Sequence, residues 1–278
     1  MSNAQFNIAV VQMDCVVGET EPNLNKIRHF TQLSASMGAD LVIFPECATT
    51  GYFIGEGIAR LAQAPDGSTS RALGDIARQS RIHLACGLFT RENDTYCNTQ
   101  QLFAPDGTCL ASYHKAHLFS AECNYYRAGD APIVVHTSLG NLGMTICYDL
   151  IFPEYVRRLI ELGADIIINS TNWINDVYQR DVWGWGPERV QGLASTRALE
   201  NVAFLAMACR VGHEVAAPGL EFDSFGPSCV ASPSGKILAR VQDGEGMALA
   251  RVNIAAEDLE KWRSIATYRQ DRRPELYS

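Results

Sequence analysis

Short apolar runs alternate with amphipathic stretches along the whole chain. FNIAVVQMD (6–14) reads as a strand, and after Pro22 and Asn23 the positions Leu24, Ile27, Phe30 and Leu33 recur on one helical face. LVIF (41–44) is a second strand, followed by a helix near 69–80 and a strand over 83–89. Ala104-Pro105-Asp106-Gly107 predicts a hairpin between 96–103 and 108–115.

The second half has a similar layout. LGMTICYD (142–149) predicts a strand, 153–162 a helix opened by Pro153, 165–171 a strand, the region near 187–200 a helix, and 201–210 a strand. A hairpin pairs 228–233 with 236–241 across Ser234-Gly235, and 247–254 adds a further strand. Gly-Ala-Asp followed by an apolar run occurs twice, at 38 and at 163, which predicts two halves related by a pseudo-two-fold axis. Alternating strands and helices specify an α/β fold. Because the central runs are apolar on both faces, the expected architecture is two face-to-face β-sheets flanked by outer helices, an αββα sandwich. The 278 residues are expected to form one domain, 1–278, with 265–278 a tail at a subunit interface.

Composition narrows the function. With 47% hydrophobic residues there is ample core, and a net charge of −8 without a basic stripe argues against a nucleic-acid partner. Residues 1–10 lack a secretory leader's features, Ser2-Asn3-Ala4 reads as a cloning remnant, and no apolar run reaches membrane-spanning length. The nine cysteines form no CxxC pair, so neither a disulfide framework nor a zinc knuckle is expected, and a reducing cytoplasm fits them. The sequon at Asn169 falls in an expected buried strand, and that at Asn93 reads as accidental with it.

Three strand ends carry reactive groups: Glu46 after LVIFP, Lys115 after ASYH, and Cys147 within LGMTICYD. A thiol becomes a nucleophile when a base takes its proton or a cation stabilises the thiolate, and an acid with an amine supplies both roles. Taken singly, each has a bland reading: Cys147 as an inert core thiol, Glu46 as a solvated acid and Lys115 as a surface ammonium.

Together, FPECATTGY, YHKAHLFSAE and TICYDLIFPE resemble, in this order and spacing, the nitrilase superfamily of carbon–nitrogen hydrolases. The resemblance continues through NSTNW, RALEN, FGPSCVASPSG and DRRPELY. It implies Glu46 as general base, Lys115 as oxyanion stabiliser, Cys147 as nucleophile, and Glu122 as a second glutamate positioning substrate and base. The Tyr148 backbone N–H would be the other oxyanion donor. It also implies an amide carbonyl attacked to give a thioester that water hydrolyses, with no metal and no cofactor, in a homo-oligomer. Asn172 and Trp173, which end the strand echoing LVIFPE, and Tyr52 are expected on the substrate side.

Other motifs carry less. His114 and His117 flank Lys115 without a third metal ligand at a recognised spacing and read as hydrogen-bonding support. A papain-like Cys-His pair lacks its local signature, Gly184-Trp185-Gly186 follows no strand of a βαβ unit, and no GxSxG elbow occurs. Trp173, Trp183 and Trp185 read either as ordinary packing or as a pocket wall. CYD resembles the amidase and carbamoylase branches rather than nitrilases proper. Leu150 and Ile151 stand where relatives acting on carboxylates place Arg, and an apolar pair forms no bidentate clamp. Arg157 or Arg158 is expected to brace the site or a subunit contact. The expected substrate is a small neutral amide; an N-carbamoyl compound amidohydrolase, an ω-amidase and a catalytically silent binding or scaffold member stay open.

Overall fold

The chain builds a three-strand parallel core, then a meander, and does so twice. In the computed structural model, which describes residues 5–52, 55, 57–217 and 220–276, β1 (Gln5–Gln12) leads through α1 (Thr20–Ser36) to β2 (Leu41–Ile43). Helices α2 (Ile58–Leu61) and α3 (Ser68–Ser80) lead to β3 (His83–Glu92), β4 (Thr95–Phe103) and β5 (Cys109–His114). After β6 (Val134–Thr137) come β7 (Gly140–Ile146), α4 (Pro153–Glu161), β8 (Ile166–Thr171), β9 (Ile174–Asn175), α5 (Val177–Asp181), α6 (Pro187–Asn201) and β10 (Phe204–Cys209). The chain continues through β11 (Gly212–Ala217), β12 (Leu220–Ser224), β13 (Cys229–Ala231), β14 (Ile237–Arg240), β15 (Gly246–Asn253) and α7 (Glu257–Ile265). Residues 2–4, the apparent remnant, lie outside the described residues.

The two large sheets have matching orders, β15-β1-β2-β3-β4-β5 and β6-β7-β8-β10-β13-β14. In each, three parallel strands are extended by an antiparallel pair on one side and closed by one antiparallel strand on the other. The repeated Gly-Ala-Asp strands occupy equivalent central places: Leu41 pairs with Ile8 and His83, and Ile166 pairs with Leu142 and Phe204. This is the duplication seen in the sequence, and the fold is the αββα sandwich.

Strand alternation divides the core into layers. Ile8, Val10, Leu41 and Ile43 share a buried cluster with Leu142, Met144 and Ile146 of the facing sheet. Ala9, Val11, Val42 and Phe44 point the other way, onto Leu24 and Ile27 of α1 and Leu73 and Ile76 of α3. Parallel strands need both faces covered, and this two-sided burial puts their C-terminal ends, where the chain breaks free of the ladder, at one edge of the sandwich.

Some expectations are corrected. The strand over 142–149 stops at Ile146, because Cys147 takes φ 44° and opens a 3-10 turn over Cys147–Ile151. Leu33 is 38% exposed; the buried stripe of α1 runs through Leu24, Ile27, Thr31 and Ser34 instead. The two polar residues sit there by donating their hydroxyls to carbonyls one turn back. β6, α7 and the small sheet β11-β12-β9 lacked a clear periodic signal and were not expected.

Candidate active site

Glu46 is fully buried at the end of β2. Pro45 has no N–H to continue the ladder, and Cys47 turns the chain with φ 51°, a left-handed conformation that non-glycine residues seldom adopt. Gly87 on β3 lets this turn lie against the sheet: its N–H donates to the Pro45 carbonyl at 3.1 Å, and a Cβ there would stand 2.5 Å from Pro45 O and Cys47 N. A side chain at position 87 would therefore displace the backbone that carries Glu46.

Lys115 leaves β5 equally buried. Its N–H donates to the Asn98 carbonyl, while the Asn98 side chain donates to Glu46 Oε1 at 2.6 Å, so one β4 residue fixes both groups. Lys115 Nζ donates to Glu46 Oε1 at 2.8 Å and to Glu122 Oε1 at 2.9 Å. Glu122, on the 3-10 turn Ser120–Asn124, also accepts the Tyr52 hydroxyl at 2.9 Å and the Phe119 N–H at 2.6 Å. An ammonium has three protons, so one remains for a substrate oxygen.

Cys147 joins this cluster through Asn172. The Cys147 thiol donates to the Asn172 carbonyl at 3.5 Å, and the Asn172 N–H donates to Glu46 Oε2 at 2.9 Å. One peptide residue thus bridges sulfur and carboxylate. Its side chain is pinned from behind, with Oδ1 accepting from Ser224 and Nδ2 donating to Glu214, which pairs with Arg210 at 2.8 Å in a second fully buried ion pair.

Electrostatics follow from burial with an imbalance of sign. Desolvation, reinforced by the Glu122 charge and opposed by Lys115, raises Glu46 above its ordinary 4.5. Burial pulls Lys115 down, but Glu122 and Glu46 together outweigh it and hold the ammonium well above its ordinary 10.5. Burial first and the Glu46 charge second hold the Cys147 thiol well above 9.0, with Lys115 opposing. Two carboxylates beside one ammonium oppose a further negative charge on the Cys147 sulfur, in the same direction as its burial.

A cavity of about 230 Å³ opens at the sulfur, walled by Phe119, Tyr148, Ile151, Trp173, Trp183 and Trp185, with Asn172 and Gln179 also lining it. Among the described residues, no group of three or more His, Cys, Asp or Glu is placed to hold a metal ion.

Residues 7–266 match the family pattern described as carbon-nitrogen hydrolase. The chain belongs to the carbon–nitrogen hydrolase family. A nitrilase from Pyrococcus abyssi is 30% identical over 275 residues, 97% of this chain and 98% of its own. An (R)-stereoselective amidase from Pseudomonas sp. is 30% identical over 268 residues, 96% and 92% of the two chains. Among solved structures, a mutant amidase from Nesterenkonia sp. AN1, showing covalent addition of the acetamide moiety of fluoroacetamide at the active site cysteine, superposes with a TM-score of 0.83 at 26% identity, covering 98% and 95%.

In this carbon–nitrogen hydrolase, the residues singled out from the sequence converge. Glu46 and Glu122 both accept from Lys115, Cys147 meets Glu46 through Asn172, and Tyr148 and Trp173 line the cavity. Tyr52 stands behind Glu122, linked by its hydroxyl. Three supports carried no sequence signal of their own. Asp149 Oδ2 accepts the Ile146 N–H and the Tyr113 hydroxyl, and its Oδ1 accepts the N–H and Nδ1–H of His117, tying the Cys147 turn to the loop after Lys115. Asn98 and Glu214 are the others. Beside the Cys147 turn the arginine in place is Arg197 of α6, which donates to the carbonyls of Leu150 at 2.8 Å and Ile151 at 3.0 Å, while Arg157 reaches the Glu200 carbonyl and Arg158 pairs with Glu161. His117 supports through Asp149, and His114 lies 3.4 Å from Glu92.

Proposed function

We propose that this hydrolase cleaves the C–N bond of a small neutral carboxamide through a thioester on Cys147, releasing ammonia or an amine and a carboxylic acid. The observation that carries the reading is the junction at Asn172, which holds the thiol of Cys147 and the carboxylate of Glu46 to opposite ends of one residue while Lys115 bonds the same carboxylate.

As the Cys147 sulfur bonds to the amide carbon, its proton passes to Glu46 and the carbonyl oxygen becomes an oxyanion. The third Lys115 proton and the Tyr148 N–H receive that charge, in a buried site where such donors are worth more than in water. The C–N bond then breaks, Glu46 gives its proton to the departing nitrogen, and the thioester remains. Water attacks the thioester carbon as Glu46 takes a proton from it; the C–S bond breaks, sulfur regains a proton and the acid leaves. The raised affinity of Glu46 for a proton suits a group that must accept and return one in each half-reaction. Glu122 keeps Lys115 charged and in place.

Neutrality of the substrate is supported by the cavity wall, where no charged side chain stands among the described residues, and by Ile151 at the wall where a cation would clamp a carboxylate. The test is ammonia release from a panel of neutral amides, ω-amides and N-carbamoyl amino acids, with Cys147→Ala as control. Turnover of neutral amides abolished in Cys147→Ala is expected. Near-normal turnover in that variant refutes the mechanism, and a strong preference for ω-amides or carbamoyl compounds refutes the substrate class.

A further inference from the structure

We infer that the acyl pocket of this hydrolase is shaped for one flat ring, so that its preferred substrates are monocyclic aromatic or heteroaromatic primary carboxamides, best when the ring bears a neutral hydrogen-bond acceptor. The inference rests on the amidase reading and goes further than neutrality. Two pairs of edge-to-face aromatics form the walls: Phe119 against Tyr148 with ring centres 5.2 Å apart, and Trp173 against Trp185 at 5.7 Å. Such pairs offer both faces and edges, the surfaces on which a further ring packs with more than its area's worth of attraction. A cavity of roughly 150 Å³ with apolar walls holds a benzene ring, and the 230 Å³ here leaves space for a ring plus the carboxamide at Cys147.

The polar features are few and directional. The Trp173 indole N–H is directed at Met207 Sδ, at 3.5 Å in the core, so this wall offers the cavity no donor from that atom. Gln179 is held by reciprocal bonds with Asp176: its N–H donates to Asp176 Oδ1 at 2.7 Å, and its Oε1 accepts the Asp176 N–H at 3.1 Å. Because an oxygen must face that backbone N–H, the side-chain NH2 is the end left for a ligand. A ring nitrogen, ether or carbonyl oxygen satisfies it. A carboxylate would meet no cation among the described lining residues and lose its hydration unpaired.

The experiment compares kcat/KM, followed by ammonia release, for benzamide, the three pyridinecarboxamides, butyramide and succinamic acid in the intact enzyme and in Gln179→Leu. The best pyridinecarboxamide is expected to exceed benzamide, and benzamide to exceed butyramide, by about tenfold or more at each step. Gln179→Leu is expected to bring the pyridinecarboxamide to within about twofold of benzamide while benzamide stays ahead of butyramide. Butyramide or succinamic acid hydrolysed as well as the aromatic amides overturns the inference and leaves the amidase reading standing. A pyridine preference that survives Gln179→Leu overturns the role of Gln179. Ammonia from none of the six amides overturns the inference together with the reading beneath it.

Discussion

Replacing Asp149 by Asn tests whether the spacing of Cys147 and Lys115 is set from behind the site. The carboxylate accepts four hydrogen bonds, at 2.8 Å from Ile146 N, 2.7 Å from Tyr113 Oη, and 3.0 Å and 2.8 Å from the backbone and ring of His117. A carboxamide keeps one oxygen and turns the other end into a donor. Toward Tyr113 and Ile146 that end would oppose a backbone N–H and disrupt the turn directly beside the sulfur. Toward His117 the imidazole can change tautomer and accept, so a single backbone N–H is orphaned, which makes this the orientation of lower cost. An orphaned N–H costs about 1–3 kcal/mol, and for a chain of this size each kcal/mol moves Tm by about 2–4 °C. A fall of roughly 2–12 °C is therefore expected. Activity should suffer more than stability suggests. The same carboxylate joins the turn that aims Cys147 to the loop that follows Lys115, and misplacing catalytic groups by about 1 Å costs about 100-fold in rate. Differential scanning fluorimetry and kcat/KM on a hydrolysed amide would measure both, with the loss falling in kcat rather than KM. A variant with unchanged Tm and kcat would show that Asp149 does not set this geometry.

Three further outcomes follow from the same structure. Gly87→Ala puts a Cβ 2.5 Å from two backbone atoms of the Glu46 turn; a stability loss of about 1–3 kcal/mol in chemical denaturation with a larger loss of kcat is expected, and wild-type behaviour would mean the turn yields freely. Since Glu46 is raised above 4.5 and must be ionised to act as base, the acid limb of kcat/KM should titrate above that value; a limb at or below it contradicts the burial argument. The corresponding stability sign is that Glu46 contributes most when protonated, below its unfolded value, and the contribution is lost as pH rises through its folded value. Trp262, Ile265 and Leu276 are exposed near the C-terminal end; if 265–278 forms a subunit contact, light scattering should show a dimer or larger for the full chain and a smaller species on truncation after 264, and a monomeric full chain would refute it.

The parts of this protein legible in its sequence are those fixed by local pattern. Two-sided apolar runs and the repeated Gly-Ala-Asp strand gave the sandwich and its internal duplication, because parallel strands covered on both faces bury apolar side chains on each. The reactive residues were legible through their motifs: singly an acid, an amine and a thiol at strand ends have bland readings, and it was the resemblance of FPECATTGY, YHKAHLFSAE and TICYDLIFPE to the nitrilase superfamily that drew them together. The supports were not. Asn98, Asp149 and Glu214 act through bonds to residues between 36 and 162 positions away or to backbone groups, and a polar residue in a strand or turn looks the same before folding whether its partner is water or a buried carboxylate. The turn at Cys147 reads as strand for a related reason: LGMTICYD is apolar enough to continue, and the turn with its left-handed φ is held instead by Asp149, which accepts from the preceding Ile146, and by Arg197, which donates to the following Leu150. The arginine brace shows the same limit, since four arginines lie on α4 and α6 and their reach is decided by helix packing.

The most direct measurement is intact-mass spectrometry of the enzyme acid-quenched during a single turnover of an amide substrate, followed by peptide mapping. A transient gain equal to the substrate less ammonia, localised to Cys147 and absent in Cys147→Ala, is the expected result. Full turnover without that adduct, or with it on any other residue, would contradict the account.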